Sequence, residues 1–294
     1  MGDVWHALGD PWTQAIMQRA LAEVTLLGIV GGALGCWIVF YELSYSAESL
    51  AHALFPGLVL ATLTGLPLLA GGAVGLLAAA VAIGLAERTP GIEPDTAIAV
   101  VISSLFGLGV LLALSPSSPP GIRGILFGDV LGVSNSDLVL AAILAATVIT
   151  ALRLLHGQLL TVGFDRMSAR ALGARPALVE MALLVLVALA ILVAVQGLGN
   201  LLVLAVLIGP ASTARLVCRR MPEMMLAAAL LAVAGAIGGL YLSYYAGTAA
   251  GASIAGTFVA LFIVALGASS LKDLASAVWR TRRSSAPPPA SAIP

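Results

Sequence analysis

The sequence contains very little charge. Of its 294 residues, 14 are Lys or Arg and 14 are Asp or Glu, which is 10% charged against 60% hydrophobic. A soluble domain of this length needs roughly 25% charged residues to cover its surface. Because the mean hydropathy is +1.08, lipid is the solvent that fits this composition. A soluble enzyme is therefore excluded. The formal net charge of zero is uninformative about nucleic acid, and we predict no nucleic-acid partner.

Several residue types and motifs of catalysis are also scarce or absent. Lys272 is the single lysine, and no G-x-x-x-x-G-K-[ST] loop occurs, so we predict that this chain does not itself hydrolyse ATP by that route. G-x-S-x-G and H-E-x-x-H motifs are likewise absent. Cys36 and Cys218 lie in or beside apolar runs, far apart, and we interpret them as small hydrophobic residues. We predict that the protein is not an enzyme and has no cofactor.

What remains is a series of long uncharged runs. Runs of roughly 20 residues suffice for one transmembrane helix, and longer runs are divided where Gly, Pro or Asn cluster, at 65–67, 196–200 and 247–251. These runs predict an all-α, polytopic transmembrane helical domain with nine spans. The number is eight if the segment 48–63 is a broken or re-entrant helix.

The charge map also predicts the domain boundaries and the orientation. We expect an N-terminal segment at 1–22, interpreted as an interfacial helix, a transmembrane domain at 23–280 and a disordered cytoplasmic tail at 281–294. With nine spans and an external N-terminus, twelve Lys and Arg residues fall on one side, and only Arg19 and Arg123 on the other. The positive-inside rule makes the first side, with the C-terminus, cytoplasmic.

The most informative polar residues lie in the stretch ESLAHALFPG, residues 48–57. Glu48 and His52 are four residues apart, so a helix carries them on one face, and His6 and His156 lie outside an apolar span or at its end. An acid and an imidazole inside a membrane are costly, which favours a functional site. Together they suit Zn²⁺, Mn²⁺ or Fe²⁺. The alternative is an interfacial Glu and a His bonded to a neighbouring helix.

Two other features of the apolar spans bear on this site. Pro56 cannot bond to the carbonyl of residue 52, so the sequence predicts a helix break beside the metal site, as in a helix that lines a pathway. Gln196 and Asn200 bracket a predicted turn between two spans, and we interpret them as turn residues without a function.

The segment 164–176, FDRMSARALGARP, is rich in arginine and ends at Gly173 and Pro176. It is compatible with a short helix between two spans. A solvated loop and a docking helix for a cytoplasmic partner both account for it.

Taken together, these segments resemble the permease subunits of bacterial ATP-binding-cassette importers for zinc, manganese and iron. The stretch at 48–57 resembles the family's D-A-L-S-H-A-x-L-P-G, and DRMSARALGARP resembles its coupling segment D-x-E-x-A-x-A-x-G. Further blocks in the same order are similar to family motifs over roughly residues 20–270: DTAIAVVISSLFGLG, ILFGDVLGVSNSDL, LLVLAVLIGPASTA and GGLYLSYY.

The resemblance implies a homodimeric permease in the bacterial inner membrane, with cytoplasmic ATPase subunits and an extracytoplasmic metal-binding protein as partners. It assigns the metal pathway to Glu48 and His52, with Glu in place of the family's Asp. It assigns coupling to the ATPase to Phe164, Asp165, Ala169, Ala171 and Gly173.

Three other functions are compatible with parts of the sequence. They are a proton-coupled secondary transporter with Glu48 as carrier, an ATP-driven permease for metal chelates, and an intramembrane enzyme, for which the sequence offers no nucleophile–base pair. Among the ions, we predict zinc first, with manganese or iron as alternatives.

Overall fold

The computed structural model describes residues 10–86, 91, 93–115 and 128–284. Helices account for nearly all of them, and no strand occurs in these ranges, so the predicted all-α class is confirmed. A short 3-10 helix, Asp10–Thr13, precedes nine α-helices: α1 Ala15–Phe40, α2 Ser44–Thr64, α3 Leu68–Ala86, α4 Pro94–Ala113, α5 Asn135–Phe164, α6 Arg166–Ala171, α7 Pro176–Val217, α8 Met221–Ala246 and α9 Ala250–Ser284.

Seven helical segments in the described part of the chain are long and apolar enough to cross a membrane. Two further apolar segments, Leu68–Ile83 and Leu202–Val217, are shorter. The three predicted breaks coincide with a helix end or an irregular residue. They fall between α2 and α3, between α8 and α9, and at Gly199 inside α7, where φ is 72° and ψ is 164°.

Both predicted terminal segments are partly helical. Helix α1 begins at Ala15, so the second part of the predicted N-terminal segment 1–22 is continuous with the first span. Helix α9 continues to Ser284, into the predicted tail at 281–294. Residues 1–9 and 285–294 of those two segments lie outside the described residues.

Helix α1 packs against α8 through a face of small residues. Gly28 lies against Ala232, and Gly32 lies against the backbone of Ala228, so the two helices are antiparallel. Glycines spaced four apart let helix backbones approach closely where lipid gives no hydrophobic drive for association.

A second glycine face of α1 contacts the part of α7 that follows Gly199. Gly31 lies against Val206, and a Cβ on Gly35 would overlap the carbonyl oxygen of Leu207. The order of these contacts shows that this part of α7 runs parallel to α1. Helix α1 therefore lies between α7 and α8 and cannot accept larger residues on either face.

Helix α5 also runs parallel to α1. Leu27 and Leu144 line the same small cavity, and further along both helices the Tyr41 hydroxyl donates a hydrogen bond of 2.8 Å to the carbonyl of Leu159. The directions of three segments relative to α1 are thus fixed: α8 is antiparallel, and α5 and the part of α7 after Gly199 are parallel.

The chain reverses direction at Gly199. Ala190 and Ala194 before the break line the same small cavity as Val206 and Leu207 after it. In one straight helix, residues 190 and 207 would be about 25 Å apart at 1.5 Å per residue. Helix α7 therefore consists of two segments that fold back on each other.

Helix α2 is enclosed by α3 and α4. A Cβ on Gly57 would overlap the carbonyl oxygen of Gly71 and lie 2.8 Å from the Cα of Gly75, both in α3. Gly109 of α4 lies against the ring of Phe55 and the backbone nitrogen of Pro56. These contacts hold the middle of α2 on two sides, beside the polar residues of its first turns.

Candidate metal-binding site and coupling segment

Glu48 and His52 lie on one face of α2, as predicted. The Nε2 atom of His52 is 3.8 Å from Oε1 of Glu48. The side chain of His52 is 22% exposed and that of Glu48 is 55% exposed. One helical turn therefore presents an imidazole nitrogen and a carboxylate oxygen at a separation that a bridging cation can span, with the acid on the more accessible side.

The pair opens into a cavity of about 370 Å³ between α2 and α4. The ring of Phe106 packs on the imidazole, with ring centroids 4.7 Å apart. Apart from Glu48 and His52, the polar side chains of the lining are hydroxyls. The lining residues are Tyr45, Glu48, Ser49, His52, Ala99, Ile102, Ser103, Phe106 and Gly107.

A third element reaches His52 from the turn of α7. The Nδ2 atom of Asn200 is 3.3 Å from the Nδ1 atom of His52, and Asn200 is completely buried. The interpretation of Asn200 as a turn residue without a function overlooked this contact. A usable signal was present, because an amide in an otherwise apolar span carries the same burial cost that drew attention to Glu48.

The turn that carries Asn200 is tightly enclosed. A Cβ on Gly197 would overlap the carboxylate of Glu23, which is itself buried in α1. A Cβ on Gly128, in the segment before α5, would overlap the carbonyl oxygen of Leu198. The turn is thus held between the backbone of Gly128 on one side and the carboxylate of Glu23 on the other.

One chain supplies few metal ligands at this site. Over residues 10–86, 91, 93–115 and 128–284, no group of three or more His, Cys, Asp or Glu side chains is close enough to hold a metal ion together. Glu48 and His52 give two ligands, whereas Zn²⁺ generally takes about four and Mn²⁺ about six.

The predicted helix break at Pro56 is corrected by the structure. Helix α2 runs without interruption from Ser44 to Thr64, with Pro56 inside it. Proline removes one hydrogen bond, but Gly57 and Gly109 hold the helix closely against α3 and α4, and this packing keeps it continuous. The helical irregularity near the candidate site is at Gly199 in α7 instead.

The segment 164–176 contains a short helix, as the docking interpretation requires. Asp165 caps α6, because its carboxylate accepts a hydrogen bond of 2.8 Å from the backbone N–H of Met167 and another from the Ser168 hydroxyl. The side-chain bond from Ser168, then the backbone bonds from Ser168 and Met167, lower the pKa of Asp165 below its usual value. The cap is therefore ionised at neutral pH.

The five predicted coupling residues occupy different environments around α6. Phe164, the last residue of α5, is 78% exposed, and Ala171 is also exposed. Ala169 is completely buried, and Gly173 follows the helix with φ of 85° and open space around it. Arg166 fixes α6 to α7 through an ion pair of 2.7 Å with Glu180.

Large apolar side chains and a groove mark the surface next to α6. Met167 and Leu172 are 76% and 78% exposed, like Phe164. Exposed apolar groups of this size beside arginines are typical of a protein interface. The adjacent groove has a volume of about 550 Å³ and is lined by Leu155, Gly157, Gln158, Thr161, Leu172, Gly173, Ala174, Arg175, Leu178, Val179 and Ala182.

Residues 13–269 match the model of the ABC 3 transport family. This chain belongs to the ABC 3 transport family. The family predicted from the motifs is therefore confirmed, and the match covers every described candidate span in full except the end of the last one, in α9.

Similar proteins of the family are named for manganese or iron. A Listeria monocytogenes protein named manganese transport system membrane protein MntC is 34% identical over 251 residues, covering 85% of this chain and 90% of that protein. A Haemophilus influenzae protein named probable iron transport system membrane protein is 31% identical over 263 residues, covering 90% and 97%.

A solved structure has the same fold. The complex described as PsaBC from Streptococcus pneumoniae in complex with Fab contains a chain that is 30% identical to this ABC 3 family member. It superimposes with a TM-score of 0.82, covering 89% of this chain and 95% of that chain.

Proposed function

We propose that this chain is the membrane-spanning permease subunit of an ATP-driven importer of a divalent transition metal ion. The observation that carries the proposal is the Glu48–His52 pair facing the cavity between α2 and α4, in a member of a transport family. The preference for zinc gains no support from the reported relatives, whose names give manganese or iron. We therefore put manganese first, with iron and zinc as alternatives.

The permease would work as a homodimer in the bacterial inner membrane. The side chain of Glu48 is more than half exposed, and a two-fold interface presents each residue twice. Two copies of α2 facing each other would supply two carboxylates and two imidazoles. A site of that size binds an ion, and its accessibility lets the ion leave again, as conduction requires.

Nine crossings are proposed, with both shorter apolar segments spanning the membrane as well. The directions of the helices support this count. Helices α1, α5 and the second segment of α7 are parallel to one another, and α8 is antiparallel to them. With nine alternating crossings these four segments are the first, fifth, seventh and eighth, so the first three must be parallel and the last antiparallel. The twelve basic residues then support a cytoplasmic position for α6 and the C-terminus.

Cysteine labelling tests this orientation. A cysteine introduced at Ser168, in a background where Cys36 and Cys218 are replaced by Ser, is expected to react with a membrane-impermeant maleimide only after the cells are opened. Labelling of Ser168→Cys in intact cells would contradict the orientation.

Helix α6 and the groove beside it would dock a separate cytoplasmic ATPase subunit, which hydrolyses the ATP, while an extracytoplasmic metal-binding protein delivers the ion. The capped helix, its exposed apolar side chains and its ion pair to α7 support a rigid docking element. Force applied to α6 would reach α7 directly through Arg166 and Glu180.

Gly173→Val tests the docking role. Its positive φ is strained for any other residue, so the substitution displaces the end of α6 and should separate the ATPase from the permease or uncouple hydrolysis from uptake. Gly247→Val is the matched control, since Gly247 has φ of 64° and equally open surroundings but follows α8. Equal copurification of the ATPase with both variants would argue against docking at α6.

The central experiment measures cellular uptake of Mn²⁺, Fe²⁺ and Zn²⁺ in a host that lacks its own importers. Glu48→Gln, which keeps shape and removes charge, and His52→Ala are expected to abolish uptake while membrane insertion is unchanged. Glu223→Gln is the control, because Glu223 is an exposed acid at the start of α8. Near-normal uptake by both site variants would contradict the proposal.

Two further uptake measurements separate the alternatives. Uptake by the permease without an ATPase, driven by a proton gradient in proteoliposomes, would favour the secondary transporter with Glu48 as carrier. Uptake of a chelated ion in preference to the free ion would favour the permease for metal chelates.

A further inference from the structure

The two ring nitrogens of His52 face different groups. Nε2 is 3.8 Å from the Glu48 carboxylate, whereas Nδ1 is 3.3 Å from the Asn200 amide. A cation shared by Glu48 and His52 must therefore bind Nε2, because Nδ1 is turned towards α7. This assignment rests on the proposed function, in which Glu48 and His52 bind the transported metal.

Ligation through Nε2 sets a condition on the other nitrogen. A neutral imidazole carries one proton, so Nε2 offers its lone pair only when the proton is on Nδ1. Histidines that bind metals almost always donate this second N–H to an acceptor, which fixes both tautomer and ring orientation. The Asn200 amide is the polar group next to Nδ1. The structure places its Nδ2 atom at the ring, and because the oxygen and the NH₂ group are nearly equal in size, exchange of the two ends brings the oxygen to Nδ1 instead.

Asn200 is poorly explained as a structural residue. It is completely buried, and with Nδ2 at His52 its amide oxygen has no hydrogen-bond partner among the described residues. A buried amide with an unpaired end destabilises a bundle relative to an apolar residue of similar volume. The turn needs an unusual backbone at Gly199, not at Asn200, so the turn does not account for the amide.

We propose that Asn200 is the positioning residue of the metal site. Its amide oxygen accepts the Nδ1–H of His52, holds the imidazole in that tautomer and directs the Nε2 lone pair towards Glu48. The site is thereby connected to the turn of α7, because the position of Asn200 depends on the turn at Gly199.

The tautomer can be observed directly because the chain has three histidines. His6→Gln and His156→Gln leave His52 alone, and ¹⁵N spectra of histidine-labelled protein distinguish a protonated from an unprotonated ring nitrogen. We expect the metal-free protein to carry the proton on Nδ1. Asn200→Asp, whose carboxylate only accepts, should keep it there, whereas Asn200→Leu should move a measurable fraction to Nε2.

The control is Gln196→Leu. Gln196 is a second amide at this turn, and its buried nitrogen has no hydrogen-bond partner in the part of the chain that the structure describes, so its removal changes polarity nearby without changing the group at Nδ1. Its spectrum should match that of the unsubstituted protein. A proton on Nε2 in the unsubstituted protein, or identical spectra for Asn200→Leu and Gln196→Leu, would overturn the proposal. If Asn200→Leu does not fold, the unsubstituted protein and Asn200→Asp still decide.

Titration with Mn²⁺ gives the functional readout. Loss of the partner of a metal-binding histidine typically weakens affinity by about 10- to 100-fold, and we expect that loss for Asn200→Leu but not for Asn200→Asp or Gln196→Leu. Mn²⁺ is paramagnetic and broadens the resonance of a nitrogen that it binds. Failure of Mn²⁺, Zn²⁺ and Fe²⁺ to affect His52 would overturn the metal site itself, whereas the metal-free spectra test the role of Asn200 separately.

Discussion

Helices α2 and α7 both place a polar residue of the site next to a residue that disfavours helix. In α2 Pro56 follows His52 by one turn, and in α7 Gly199 directly precedes Asn200. Yet α2 continues to Thr64, whereas α7 reverses direction. The residue type that is most disruptive in an isolated helix thus leaves the helix intact, and the milder one marks the turn.

The difference lies in how each residue constrains the backbone. Pro56 removes one backbone hydrogen bond, and the close contacts of α2 with Gly71, Gly75 and Gly109 keep the rest of the helix in place. Gly199 has a backbone conformation that essentially only glycine adopts, and the chain around it must turn. Packing against neighbouring helices can keep a helix continuous after the loss of one hydrogen bond. It cannot keep a helix straight through a residue whose backbone conformation turns the chain.

The largest effect on metal uptake should come from Gly199→Ala. A side chain at φ 72° and ψ 164° costs about 1–3 kcal/mol, and relief of that strain would move Asn200 away from His52. We expect a lower melting temperature and loss of metal uptake. The control is Gly256→Ala, where a Cβ in α9 would meet nothing within 4 Å. A Gly199→Ala protein with unchanged stability would show that the turn does not depend on this backbone conformation.

An intermediate effect is expected for Gly57→Ala. The added methyl group would overlap the carbonyl oxygen of Gly71, and overpacking of this kind typically costs about 1–3 kcal/mol. Because the neighbouring helices hold α2 continuous, the variant should lower the melting temperature and reduce uptake without abolishing it. Gly238→Ala, where the new Cβ would lie 3.6 Å from Thr257, is the control. Equal melting temperatures for the two variants would mean that α2 is not held in this way.

The smallest effect should come from Pro56→Ala. The substitution restores a backbone N–H in a helix that is already continuous, so the melting temperature should stay the same or rise, and uptake should persist. Loss of uptake in a protein of raised stability would give Pro56 the role of a hinge and reverse the comparison between α2 and α7.

Much of the site could be predicted from local spacing. Glu48 and His52 are four residues apart, so they share a face of any helix that contains both. The short helix after Phe164 is predicted by its composition and by Gly173, which follows its end. For Asn200 the local sequence predicts only a turn without a function, because its partner His52 is 148 residues away in the sequence. Nothing in the spacing of one segment reveals which other helix will face it.

The sequence by itself determined that this protein lies in a membrane, since its scarcity of charge permits no other solvent. It also determined the class of the fold, the three breaks between spans and the polar residues of α2, because these depend on composition and on neighbours three or four residues apart. Only the tertiary structure decided that α2 stays continuous through Pro56 and that α7 brings Asn200 to His52. Both depend on contacts between distant helices, which outweigh the local preference of a proline and give a buried amide its partner.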